Sequence, residues 1–597
     1  VSSLAKITAP RLRAIHPTER LFKLLDRACA RPIVWIHGPP GAGKTTLVAG
    51  YLRSRRFRPL WYRLDEGDAD PATFFYYLGL AAKHATTRKK SPLPLLTPEY
   101  SRGLPAFARR FFQGIYERLP ERCTVVFDDY HEVPLDSALH DLLPHGLSET
   151  PETNNLIIVS RGEPPPQLAR LRANGLLEVF PADALRLGRE EVKGVMQSRG
   201  KPETSDQELA RLTEDTQGWV AGVILMLESD EAPAGRTEGL DPGSPQLVFD
   251  YFAEEVFRKL DAASRAVLLA CALPPTISAG MAERLTDTRE AGAVLEELVH
   301  RNYFTVRDTQ ARPVYHYHPL FRGFLLARAR QSYAPERLSS LLQRAAELLE
   351  EDGQPESAVE LLQQLDDWNG LSRIALKQAK TFLEQGRHNV LTRWLELLPS
   401  SLFLDNGWLC YWRGSALMPV DPAATIPWCQ RAFTLFKRDR DRAGLLLSWA
   451  RIIQAIRFDP KGDVKQMDPW IAVADELLAE DCSFPAEEIE YQFVYGIYVA
   501  LQHRMPWHAQ FNAWKDRAIA LGLSDTDSAN RAYLAYLAVS YETQRGHLVQ
   551  AKLVLDAVAR VQDLSALARN FSYLGRIQLQ IELGKLDEAF ATMAAGL

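Results

Sequence analysis

Cysteine is scarce in this chain: six residues in 597, none of them in a CxxC pair. That scarcity speaks against a zinc site or a disulfide framework and fits a reducing cytoplasm. Long apolar runs are missing too. None approaches the roughly 18–20 residues that a bilayer span needs, and the opening VSSLAKITAPRLR lacks the apolar stretch of a secretory signal. A soluble, cytoplasmic protein without membrane contact is expected. There is no basic excess either. Lys and Arg number 70 against 75 Asp and Glu, a formal net charge of −5, so the chain as a whole has no attraction for nucleic acid beyond what a small basic module could hide.

What is present is ordinary globular composition, 46% hydrophobic and 24% charged, over a length that predicts roughly four domain-sized units. ERLFKLLDRACA reads as an amphipathic helix with Leu21, Leu24 and Leu25 on one face. Strand-type runs follow at Ile33–His37, Pro59–Leu64, Thr124–Phe127 and Leu156–Ser160, with helical spacing between them at Thr73–Lys83 and Leu104–Leu119. That alternation predicts an α/β domain with a parallel sheet over residues 1–187. Helical patterns at Arg189–Arg199, Asp206–Thr216 and Trp219–Leu227 predict a helical subdomain, and the Gly/Pro-rich Ser229–Gly243 a linker, together 188–243. Helices at Leu247–Lys259 and Ala263–Cys271, then strands at Asn302–Arg307 and Pro313–Tyr317 joined by DTQAR, outline a winged helix over 244–334. From 335 to 597 the chain reads as all-helical. Gly353, Gly546 and Gly584 each precede an alanine by five residues (Ala358, Ala551, Ala589), and Gly386 precedes Leu391 in the same way. Spacings of 33 and 38 residues between such turns predict tetratricopeptide-like helical hairpins.

The strongest chemical signal is Gly38-Pro39-Pro40-Gly41-Ala42-Gly43-Lys44-Thr45, followed by Thr46, which matches G-x-x-x-x-G-K-[ST] in full between a strand and a helix. Its backbone amides would wrap phosphate oxygens at a helix N-terminus. Lys44 would reach the β- and γ-phosphates of ATP or ADP, and Thr45 would place its hydroxyl on Mg²⁺. TVVF ends in Asp128 and Asp129, the build of a Walker B strand: Asp128 for the metal, Asp129 to orient or deprotonate the attacking water. Arg161, at the tip of another strand, is either a γ-phosphate sensor or a surface cation. His318, where the wing returns to a helix, is either a packing residue or a nucleotide contact.

Taken together, GPPGAGKTTL at 38–47, WYRLDEGD at 61–68, VVFDDYHEV at 125–133, IIVSRGEPP at 157–165, TQGWVAGVIL at 216–225, FAEEVF at 252–257 and YHPLFRGFL at 317–325 resemble the STAND class of P-loop signal-transduction ATPases, MalT type, and other large LuxR-type regulators. The resemblance implies a switch: an ADP-bound resting monomer that becomes an ATP-bound oligomer when an inducer, small molecule or protein, binds the repeats, with slow hydrolysis as reset. It implies catalytic roles for Lys44, Asp129 and Arg161, a nucleotide contact for His318, and a place for Arg20 near the adenine. The sequence departs from the class in two places. No helix-turn-helix follows the repeats, so these residues are expected not to read DNA. The GxP-type turn of the helical subdomain stands here as Gly218-Trp219-Val220. A nucleotide-binding scaffold without turnover remains the alternative; a motor on nucleic acid is disfavoured by the acidic balance.

Overall fold

The computed structural model describes residues 5–10, 18–86, 93–98, 100, 103–120, 123–198, 205–228, 257, 260–300, 305–307, 313–523, 529–558 and 566–596. It groups the chain into two compact units, 1–390 and 391–597.

The first unit opens with α1 (Glu19–Ala28), β1 (Ile33–His37), α2 (Lys44–Ser54), β2 (Arg58–Arg63), α3 (Pro71–Ala85), α4 (Leu104–Tyr116), β3 (Cys123–Asp128), α5 (Leu139–Leu147), β4 (Asn155–Ser160), α6 (Ala169–Ala173) and β5 (Leu177–Phe180). The five strands form one sheet in the order β2-β3-β4-β1-β5, every pairing parallel. A parallel sheet must be covered on both faces, and β3 is buried from end to end. Alternation along β1 sends Ile33 and Trp35 into one core, with Tyr62, Phe74, Phe111 and Phe127. Val34 and Ile36 enter the other, with Leu25, Val48 and Leu52. Pro59, which has no N–H to give a ladder, sits in β2 at the sheet edge, where one is tolerated. The fifth strand was not expected: LEVF is only four residues long and buries only its two ends.

Next come α7 (Arg189–Ser198), α8 (Asp206–Thr216) and α9 (Val220–Glu228), around a small core of Leu187, Val192, Met196, Leu209 and Val223. Ser205 and Glu208 cap α8 reciprocally. The expected linker 229–243 and, apart from Phe257, the expected helix 247–259 lie outside the described residues, as does DTQAR. Helices Ala262–Cys271, Ala279–Thr286 and Ala291–His300 and the antiparallel sheet β6 (Ile277–Ser278), β7 (Thr305–Arg307) and β8 (Val314–Tyr317), in the order β6-β8-β7, make the winged helix. Helix Pro319–Ser332 leaves it, followed by helical hairpins from Pro335.

The turn glycines behave as their spacing predicted. Gly353, Gly386, Gly546 and Gly584 all have φ between 74° and 79°, the left-handed conformation that ends a helix without Cβ strain. Ala358, Leu391 and Ala551 are fully buried. Among the described residues of the second unit the regular elements are all helices, the last of them Leu586–Gly596.

Candidate phosphate-binding site

The glycines of the loop between β1 and α2 are required by its shape. Gly41 and Gly43 have φ of 74° and 77°, where a side chain would strain the backbone. A Cβ on Gly41 would also stand 2.7 Å from Ala221 Cβ and 2.9 Å from the Trp219 ring. The helical subdomain thus closes over the loop. The Trp219 indole N–H donates to the Pro40 carbonyl at 2.9 Å, and the Ala221 amide donates to the Gly41 carbonyl at 3.1 Å. These two bonds fix the loop at the N-terminus of α2, where a helix start favours an anion.

Lys44 is buried, and its ammonium donates to the carbonyls of Gly38 at 2.7 Å and Pro39 at 3.0 Å. Burial lowers its pKa to about 8; Arg161 adds to the effect, while Asp129 and Asp128 oppose it. The Thr45 hydroxyl donates to Asp128 Oδ1 at 2.9 Å. Asp128, buried at the end of β3, is held above the usual carboxylate range by burial and by the charge of Asp129. Burial pushes Asp129 upward as well, but Arg63, His131 and Arg161 outweigh it and keep it ionised. Asp129 takes the left-handed conformation, φ 55°, and its Oδ2 accepts from Arg63 Nε at 2.8 Å. The parallel register pairs Arg63 with Asp128 across β2 and β3.

Arg161 lies 3.6 Å from Glu132, with its side chain 40% exposed. The Trp35 indole N–H donates to the carbonyl of Gly162 at 2.9 Å and holds the turn that carries Arg161. His318 caps helix Pro319–Ser332, its Nδ1 accepting from the Leu320 amide at 3.3 Å. Burial depresses its pKa to about 4, and it is close enough to feel Asp129, Arg63, Lys44 and Arg161. Arg20 gives Nε and an Nη to Glu191 at 2.8 Å each, and the same Nη to the carbonyls of Ala184 and Arg186. It thereby joins the start of α1 to α7.

Lys44, Thr45, Asp128, Asp129, Arg161 and His318 thus converge on one place, with Arg20 on a seam beside it. Sequence reasoning missed three groups there. Arg63 stood in a quoted motif, but nothing in the motif says that β2 neighbours β3. Trp219 was visible only as a departure from a turn pattern. His316, two residues before His318, has a buried Nδ1 without a hydrogen-bond partner and is pushed by burial to about 3, within reach of Arg63 and Asp129.

Fold and site combine a phosphate loop on a parallel α/β sheet with a helical subdomain, a winged helix and helical repeats. The same arrangement is found in a Signal Transduction ATPase with Numerous Domains protein with a tetratricopeptide repeat sensor from Pyrococcus horikoshii. That structure aligns with a TM-score of 0.50 at 15% identity, over 99% of this chain and 96% of that one. Parts of the chain are also similar to MalT regulators. Residues 253–337 match the MalT winged helix domain. The HTH-type transcriptional regulator MalT of Yersinia enterocolitica is 29% identical over 413 residues, covering 67% of this chain and 45% of the relative. That of Yersinia pestis is 28% identical over 412 residues, with the same coverage. The match thus spans less than half the length of these curated relatives.

Proposed function

We propose that the chain is the nucleotide-switched part of a transcriptional regulator. In this reading ADP holds a resting monomer, an inducer on the helical repeats favours an ATP-bound oligomer, and slow hydrolysis resets the switch. One observation carries the proposal. Three parts of the chain border the phosphate site at once: Lys44, Asp128 and Asp129 from the α/β domain, Trp219 from the helical subdomain and, within electrostatic reach, His318 from the winged helix. A nucleotide there would touch all three, so its phosphates can bias their arrangement, and a ligand shifts such an equilibrium only by its different affinity for the two states.

The donor set suits magnesium. Thr45 and Asp128 are already paired at 2.9 Å in a buried site, and together they would hold the ion, which neutralises phosphate charge when bound. Lys44 would exchange the carbonyls of Gly38 and Pro39 for phosphate oxygens. Asp129 would orient the attacking water once it leaves Arg63, so the ion pair seen here belongs to the resting arrangement. Arg161 would sense the γ-phosphate, and His318 would contact the phosphates of ADP. The backbone of the loop 38–43 and of Thr46 would complete the cradle. Arg20 would act from the adenine side, through the seam it makes with Glu191. DNA contact is assigned to a helix-turn-helix elsewhere in the regulator.

The test is the identity of the co-purifying nucleotide, followed by light scattering in ADP and in ATP. ADP released from a monomer, and a larger species in ATP with inducer, is the expected result. Equal affinity for both nucleotides and no change in size would overturn the switch and leave a scaffold.

A further inference from the structure

Trp35, fully buried in β1, holds two neighbouring turns at once. Its ring stands edge-on to Tyr130, with 5.1 Å between centroids, and its indole N–H donates to the Gly162 carbonyl at 2.9 Å. Tyr130 opens the single 3₁₀ turn Tyr130–Glu132, which follows Asp129 at positive φ and is closed by the Glu132 amide donating to the Asp129 carbonyl at 3.0 Å. Tyr130 and Val133 are buried, and the Tyr130 hydroxyl is hydrogen-bonded to His140 Nδ1 at 2.7 Å. These anchors pin the turn. Glu132, between them, keeps its side chain 45% exposed.

The other turn carries Arg161, whose Nη2 lies 3.6 Å from Glu132 Oε1. His131 Nε2 lies 3.1 Å from the same oxygen. His131 first, and then Arg161, hold Glu132 below the usual carboxylate range against the upward push of partial burial. At its length and exposure the Arg161 pair is loose, of the kind that is worth little to a fold. Its place gives it another meaning. Asp129 and Lys44 both feel the charge of Arg161, so the guanidinium is within electrostatic reach of the phosphate site while it is paired with Glu132. A γ-phosphate oxygen would offer it a charge-assisted bond. ADP lacks that group.

We propose that Glu132 is the resting partner of Arg161 and competes with the γ-phosphate of ATP for its guanidinium. ATP must break the pair to engage Arg161, and ADP leaves it intact, so Glu132 lowers the preference for ATP without touching either nucleotide. It is a positioning residue that sets nucleotide discrimination. The proposal rests on reading Arg161 as the γ-phosphate sensor and adds the group that tunes it.

Calorimetry on the whole chain tests it, with magnesium and with ADP and AMP-PNP, a non-hydrolysable ATP analogue, as the two probes. Glu132→Gln should raise the affinity for AMP-PNP relative to ADP by about two- to fivefold, the range of an exposed ion pair. Glu163→Gln removes a carboxylate lying 3.3 Å from His37. It measures the general effect of one charge and should leave the ratio at the wild-type value. In the Arg161→Gln background, Glu132→Gln should bring no gain. A ratio that stays at or below wild type in Glu132→Gln, as when both nucleotides gain alike, overturns the proposal. So does a gain that persists without Arg161. Arg161→Gln alone tells a failure of the sensor reading apart: if it leaves the ratio at the wild-type value, Arg161 does not sense the γ-phosphate and its pair with Glu132 is only a surface contact.

Discussion

The phosphate loop and two arginines of the repeats treat charge in opposite ways. At the loop the charged groups discussed are already spent within the chain: Lys44 on two carbonyls, Asp128 on Thr45, Asp129 on Arg63. On the repeats, Arg451 and Arg457 have buried donors with nothing to bond. A self-satisfied site costs little to keep without ligand, but it must exchange partners to work. A buried donor without a partner weakens the fold by the hydrogen bond it has lost to water. The first arrangement costs the fold little, and the second carries a standing cost.

Asp129→Asn breaks the first half of that contrast most severely. Nucleotide affinity should be kept while turnover falls by about 10²–10⁴, the usual contribution of a positioned base. Phosphate-release kinetics under single-turnover conditions would show it, and unchanged turnover would remove Asp129 from the role. Lys44→Ala should weaken ADP and ATP by on the order of 100-fold, because hydrogen bonds from charged groups contribute about 1.5–3 kcal/mol each. Calorimetry that finds wild-type affinity would move the phosphate site elsewhere. Trp219→Phe keeps the ring under Gly41 and deletes the bond to Pro40. Its expected cost is about fivefold in affinity, or roughly 1 kcal/mol. Wild-type affinity in Trp219→Phe, with a loss only in Trp219→Ala, would show that packing alone matters.

The last expectation concerns pH and is read in stability rather than in affinity. His318 titrates near 4 in the folded chain, against about 6.5 when unfolded. Between those values the unfolded chain binds the extra proton, so the stability contributed by the neutral ring is fully present above pH 6.5 and is lost as pH falls toward 4. Wild type should therefore lose up to about 3 kcal/mol relative to His318→Gln over that window. His316 acts in the same sense and Asp128 in the opposite one, which is why the comparison is made with the variant. Parallel pH profiles would mean that His318 does not titrate this way.

The parts that were legible from the residues are those in which a local conformation forces a residue type. Gly41 and Gly43 announce a phosphate loop because no other residue tolerates that path beside Trp219 and Val220. The repeat turns are equally legible, since Gly353 and Gly584 end their helices at positive φ. Contacts set by tertiary neighbours were not legible. Strand β5 has only two buried residues to mark it. Arg63 joins the site only because the sheet order places β2 beside β3. Trp219 reaches Pro40 across 179 residues of sequence. The soluble, cytoplasmic expectation has a structural counterpart only in this: among the described residues no helix is long and apolar enough to cross a membrane.

The two bonds from the helical subdomain to the loop carbonyls also have a mechanical meaning. They are short, they end on adjacent peptide groups, and they come from one stretch, Trp219 to Ala221. A rotation of α9 that preserves them must twist the planes of the Pro40 and Gly41 peptides, and the amides on the far side of those planes turn by the same angle. The loop is thus tied to the subdomain at two successive peptides, and α9 cannot turn while keeping both bonds without carrying the Pro40 and Gly41 carbonyls with it.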